Sequence, residues 1–142
     1  MINLPSISFP LHTGFKGFVA GITNPRANYK QQAFVDVRGS DGHTITSTTF
    51  ASDGIGRRKP MKRTSESKYW SFGPFAYDAT VHVTISYDSG DGFKPSKMVG
   101  PLRIDKKPED DYPKEFHVWT VISEDGADQS HDDCTVQVLQ YK

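Results

Sequence analysis

Ala79-Thr80-Val81-His82-Val83-Thr84-Ile85-Ser86-Tyr87 alternates without a break: Ala79, Val81, Val83, Ile85 and Tyr87 fall on one side, and Thr80, His82, Thr84 and Ser86 on the other. Successive side chains of a strand point to opposite faces, so this period of two predicts a strand with one face buried and one wet. Gln31 to Val37 repeats the pattern, with Ala33, Val35 and Val37 expected inward. Residues 15–23 and 43–50 are further strand candidates, rich in the Phe, Val, Ile and Thr that suit a pleated, half-buried surface. Asn24-Pro25, Gly39 to Gly42, Ser52 to Gly54 and Asp88-Ser-Gly-Asp-Gly92 supply turn residues between the runs, the last read as a hairpin tip. No segment carries a helical period, and 9 prolines and 12 glycines spread along the chain would break most helices. The expected fold is all-β, an antiparallel β-sandwich, with residues 1–142 forming one domain.

Composition agrees. A chain of 142 residues, 35% hydrophobic and 12% aromatic, can bury one core and has no room for a second. Its 17 basic and 17 acidic residues cancel, which removes the net positive charge expected of a general nucleic-acid binder. With one cysteine, Cys134, no internal disulfide can form, and a reducing compartment is compatible. Met1 to Pro10 lacks a basic start and a long apolar run, and no stretch elsewhere approaches the ~18 apolar residues of a membrane span. The expectation is a protein without membrane insertion, cytoplasmic or exported without a recognisable signal peptide.

The chemistry concentrates near the C-terminus. Ser123-Glu-Asp-Gly-Ala-Asp-Gln-Ser-His-Asp-Asp133 places five carboxylates, Glu124, Asp125, Asp128, Asp132 and Asp133, among ten residues with no lysine or arginine. Apolar runs flank it, Phe116 to Ile122 before and Thr135 to Leu139 after, so the acids are held between strands. At an effective dielectric near 20, two such charges ~5 Å apart repel by roughly 3 kcal/mol before screening. A cation relieves that repulsion, and calcium, which takes ~6–8 oxygen ligands, suits a loop of carboxylates. The alternative is a solvated acidic turn.

Read with both termini, the chain resembles the LecB family of calcium-dependent bacterial lectins, which bind fucose and mannose. The acidic stretch is similar to the family's calcium loop, Ser-Glu-Asp-Gly-x-Asp-x-Asp-Tyr-Asn-Asp. Leu4-Pro5 and Phe18-Val-Ala-Gly-Ile-Thr-Asn24 resemble its opening and a strand that ends in a ligand asparagine. Thr80 to Tyr87, a turn, and Pro95-Ser96 leading to Ile104 resemble its long hairpin. Residues 51–78 and 105–114 fall outside the resemblance. It implies calcium ligands at Asn24, Glu124, Asp128, Asp132 and Asp133, and a hydrogen bond from the sugar to Asp125. Pro25-Arg26-Ala27 stands where the family has its sugar-specificity loop. It further implies one or two calcium ions, a monosaccharide or glycan with vicinal hydroxyls bound through them, no enzymatic activity, and a homodimer or higher oligomer.

Three departures accompany the likeness. Ser130 stands where the family has a bridging aspartate, and a hydroxyl is the weaker ligand for a hard cation. Asp132 stands where asparagine is usual, so the acid count is kept. The chain ends Leu139-Gln-Tyr-Lys142, not in the glycine whose carboxylate reaches a partner subunit's site. These changes leave a second reading open: the same fold with a degenerate metal site, acting as a protein-interaction or assembly module. A hydrolase using the acidic pair and His131 is a third, weakened because catalytic carboxylates face each other across a cleft.

Other clusters have bland counterparts. His131, Cys134 and the adjacent acids suggest zinc or a Cys-His dyad, but structural zinc wants four soft or imidazole ligands at paired spacings. Cys134 is read instead as a small apolar residue at a strand start. Arg57-Arg-Lys-Pro-Met-Lys-Arg63, with Lys68, is read as a solvated basic loop, with an anion or an acidic neighbour as the alternative. Tyr69 to Tyr77 holds five aromatics, read as a cover over the core, with a sugar-stacking platform as the alternative.

Overall fold

The computed structural model describes residues 6–23, 30–52, 59–63, 67–88, 90–106, 115–124 and 134–142. They form two antiparallel sheets packed face to face as a sandwich. The first sheet carries β1 (Ile7–Leu11), β8 (Ala79–Asp88), β3 (Lys30–Arg38), β4 (Thr44–Ala51) and β6 (Lys62–Arg63) side by side, with β9 (Phe93–Pro95) extending β1's side of β8. In the second, β10 (Lys97–Lys106), β11 (Phe116–Glu124), β12 (Cys134–Tyr141) and β2 (Lys16–Thr23) lie in order, and β5 (Lys59–Pro60) and β7 (Trp70–Phe72) share the outer edge of β2. Among the described residues no helix is long and apolar enough to cross a membrane.

The alternating runs form the strands expected of them. Ala79, Val81, Val83 and Ile85 are buried, as are Ala33, Val35 and Val37 opposite them on β3. The alternation of β8 ends early: Ser86 is buried and Tyr87 only half-buried. At this end β9 pairs with residues 86–88, and Asp88 Oδ1 accepts from Gly90 N at 2.7 Å and Gly92 N at 3.1 Å to close the tip. The likeness to one long hairpin is corrected here. Strands β8 and β10 belong to different sheets, and the chain crosses between them at buried Ser96, whose N donates to Ile85 O at 2.9 Å.

The described part of the basic run is not a solvated loop. Between β5 and β6, Met61 is fully buried, and its N donates to Gly21 O at 2.8 Å. The side chain of Arg63 is half-buried, donating from Nε to Thr48 Oγ1 at 2.7 Å and lying over the Trp70 ring. Trp70 and Phe72 of β7 enter the core, while Tyr69 stays outside and stacks on Phe18. Together these short segments cover an edge of β2 that would otherwise present unpaired backbone groups.

Candidate functional site

Three neighbouring strands end together. On the inner face, Thr23 of β2 pairs with Cys134 of β12, which pairs with Ser123 of β11. Paired Cα atoms in antiparallel sheet lie about 4.5–5.5 Å apart, so this row gathers one end of β2 and the β11–β12 connection at one pole of the sandwich. All three side chains are buried. The strands stop there because the composition changes from alternating apolar residues to acids, glycine and serine after 124, and to Asn-Pro after 23.

Of the residues expected to bind metal or sugar, Glu124 is the last of β11, its backbone paired with Lys97 of β10. Asn24, Pro25, Arg26, Ala27, Asp125, Asp128, Ser130, Asp132 and Asp133 lie outside the described residues. The described strands nevertheless bring their immediate neighbours in sequence together: Thr23 precedes Asn24, and Cys134 follows Asp133. Exposed Lys97 is a feature the sequence did not flag, since it is remote in the chain and joins this pole only through the β10–β11 register.

The donor chemistry separates the metals. Cys134, whose thiolate would favour a soft ion, is fully buried on the inner face with Sγ 3.5 Å from Met61 Sδ. It packs as a small core residue at the start of β12. The sequence that continues from Thr23 and Ser123 carries carboxylate, amide and hydroxyl oxygens, donor chemistry that fits a hard cation such as calcium. Ser123 Oγ, at the root of the loop, is buried without a hydrogen-bond partner among the described residues. A polar atom so placed is one a neighbouring ion network or ordered water commonly satisfies.

Among the described residues a hydrolytic arrangement finds no support. Ser8, His82 and Asp36 share a register row on the outside of the first sheet, in the order of a catalytic triad. Asp36 Oδ2 is taken by Arg38 Nε at 2.7 Å, and Oδ1 has no partner among the described residues, so this carboxylate does not orient the imidazole as a triad requires. Burial, then Arg38, lowers the His82 pKa, against the opposing pull of Asp36. Across the sandwich, His117 is buried between Asp105 Oδ1 at 2.8 Å and Glu115 Oε1 at 3.5 Å and stacks on Phe15, a structural role.

Comparisons with known proteins agree with this architecture. Solved structures of similar fold include a lectin of Chromobacterium violaceum in complex with alpha-methyl-fucoside, 15% identical with TM-score 0.55, covering 97% of this chain and 96% of that one. The C-terminal domain of a Burkholderia cenocepacia lectin is 18% identical with TM-score 0.52, covering 98% and 97%. A Ralstonia solanacearum high-affinity mannose-binding lectin is 16% identical with TM-score 0.53, covering 94% and 93%. At these identities the likeness is one of fold. No curated protein matches the sequence. The family model described as "Fucose-binding lectin II (PA-IIL)" matches residues 8–141, including 51–78 and 105–114, which the sequence resemblance left out. The chain thus belongs to the fucose-binding lectin II family, whose members are lectins, carbohydrate binders and not enzymes.

Proposed function

We propose that residues 1–142 form one calcium-dependent lectin domain that binds a fucose- or mannose-like sugar at the pole where β2, β11 and β12 end. The observation that carries this reading is the Thr23–Cys134–Ser123 row, which makes neighbours of two segments about a hundred positions apart, within a chain of the lectin family. Asn24 would contribute its amide oxygen, and Glu124, Asp128, Asp132 and Asp133 their carboxylates, with Ser130 a neutral donor. When bound, calcium supplies open coordination positions that vicinal sugar hydroxyls can fill. Asp125 would accept a hydrogen bond from the sugar, and Pro25, Arg26 and Ala27 would border it, Arg26 as a donor to a ring or hydroxyl oxygen.

A fucose-bound relative and a mannose-binding one share the fold. Calorimetric titration of the metal-loaded chain with methyl fucoside and methyl mannoside tests the reading. Heat of binding that disappears on chelation supports it, and a flat titration with calcium present overturns it. A second reading, the same fold with a degenerate site serving protein contact or assembly, is favoured by Ser130, the neutral residue among the acids. Absence of any calcium-induced thermal stabilisation would select it.

A further inference from the structure

Asp36 is buried on the outside of the first sheet. It stands on β3 between Val35 and Val37, which are fully buried against the core, so its own side chain leaves the strand on the opposite, outer face. Only 3% of the residue is exposed. Oδ2 accepts from Arg38 Nε at 2.7 Å, and Oδ1 has no hydrogen-bond partner among the described residues. An acceptor in that condition carries its desolvation cost with nothing to offset it, and folded chains seldom keep one without a use.

The strand register surrounds this oxygen with groups that suit one kind of ligand. Asp36 pairs with His82 of β8 on one side and with Ser47 of β4 on the other, and His82 pairs in turn with Ser8 of β1. Two residues back along the same face, about 6.8 Å away, Phe34 lies 40% exposed with Thr84 and Thr49 as its cross-strand neighbours. Arg38 and Asp36 cancel in charge, so the cluster as a whole attracts neither an anion nor a cation.

We infer that this face binds a neutral pyranose, the apolar C–H side of the ring resting on Phe34 and a sugar hydroxyl donating to Asp36 Oδ1. A hydroxyl supplies the missing donor without bringing a charge that Asp36 or Arg38 would repel, and a hydrogen bond to a carboxylate is the stronger for its charge. Hydroxyls also accept, which matches the guanidinium N–H groups of Arg38 and the Ser47 hydroxyl. An aromatic ring beside a few convergent polar groups is the composition of a small-ligand site. An extended peptide would need an open strand edge, and β3 is paired on both sides. Phe34 and Ser47 are exposed, His82 is half-buried and the Arg38 side chain is 42% exposed, so rotamer changes on the ps–ns scale open a path to Oδ1. Strands β2, β11 and β12 belong to the other sheet, so this site is separate from the metal pole and needs no calcium.

Titration of the full chain with cellotriose, maltotriose and mannotriose, in calcium and again after chelation, tests the inference through amide chemical shifts. At least one of the three is expected to shift Phe34, Asp36 and His82 together, equally in both conditions. Phe34→Ala, at an exposed position, is expected to weaken that binding about tenfold, and Phe34→Trp to restore it. Asp36→Asn keeps the shape but gives up the charge-assisted hydrogen bond, so it too is expected to weaken binding. No shift at these residues with any of the three sugars, or binding after chelation that Phe34→Ala leaves intact, would overturn the inference. Shifts that vanish on chelation would also overturn it while supporting the lectin reading of the pole, so the two fail separately.

Discussion

Met61 fills the space that Gly21 leaves by lacking a side chain. A Cβ on Gly21 would lie 2.8 Å from Met61 Sδ, and the same sulfur meets Cys134 Sγ at 3.5 Å. Residues from three distant segments thus make one plug beneath the pole where β2 and β12 end. At the other end of β2, Gly17 accommodates the Phe72 ring, and a Cβ there would clash with its Cζ and Cε atoms. Both glycines face the core because bulky covering side chains occupy their place.

The two contacts differ in compliance. Met is flexible and can yield, whereas a phenyl ring cannot. Overpacking typically costs about 1–3 kcal/mol, so Gly21→Ala is expected near the lower end and Gly17→Ala at or above the upper. Urea unfolding midpoints measure this order, and equal losses would contradict it. Met61→Ala should cost about 2–5 kcal/mol, as buried large-to-small substitutions do.

His82 predicts a pH dependence. Burial, reinforced by Arg38, holds its folded pKa below the ordinary 6.5. The unfolded chain therefore takes up the proton first as pH falls, so stability is fully present above the ordinary value and declines through the window beneath it. Melting temperatures recorded across that window should fall with acidification, and His82→Gln should flatten the slope. An unchanged slope in the variant would assign the effect to another group.

Asp105 acts in the opposite sense at lower pH. Hydrogen bonding from Arg103 holds its carboxyl below the usual 3.8 against the opposing effect of desolvation, with His117 adding to the lowering. Its stabilisation is present above the ordinary carboxylate value and is lost as pH falls through the depressed one. Acid unfolding of Asp105→Asn should begin from a lower plateau and vary less over that range.

Strands were legible where a single face is buried. Val81, Val83 and Ile85, and Ala33 to Val37, alternate because one side meets the core and the other water. Strand β1 is hard to read because Pro10 interrupts an already short run, and β5 and β6 lie hidden in a basic stretch where, among the described residues, Met61 alone is fully buried. The crossing at Ser96 is invisible for another reason: sheet membership is fixed by which partner strand arrives, not by the residues of the crossing chain. The oxygen-rich stretch from Glu124 to Asp133 is legible as composition, and past Glu124 it lies outside the described residues. That Thr23, Ser123 and Cys134 share a row, and that Lys97 pairs with Glu124, is a matter of strand order, which one sequence does not contain.

The calcium reading makes its own mutational prediction. Asp128→Ala should abolish calcium-dependent sugar binding and keep the β-rich circular dichroism spectrum, while Ser130→Asp should tighten calcium by restoring a charged donor. A ligand at a hundred times its dissociation constant stabilises the fold by about 2.7 kcal/mol. Thermal melts with and without calcium should therefore separate for the wild type and coincide for Asp128→Ala. Sugar binding retained in that variant would place the site on another loop.

Gln140 joins the two sheets through one buried amide. Its Oε1 accepts from Trp119 Nε1 at 3.2 Å, and its Nε2 donates to Pro10 O at 2.9 Å, so β11, β12 and β1 are tied at a single side chain. The indole it orients stacks on Phe9 with centroids 5.0 Å apart and carries Arg103 over its face. Gln140→Leu keeps much of the volume but leaves a buried N–H and a carbonyl without their partner, each costing about 1–3 kcal/mol when unsatisfied. Gln140→Glu keeps the acceptor for Trp119 but, when ionised, sets a charge against Pro10 O. Both variants should therefore lose stability, and the Glu variant should recover part of its loss on acidification as the carboxyl gains a proton to donate. Chemical denaturation at neutral and mildly acidic pH measures this, and a Gln140→Leu variant as stable as the wild type would show that the amide contributes packing alone.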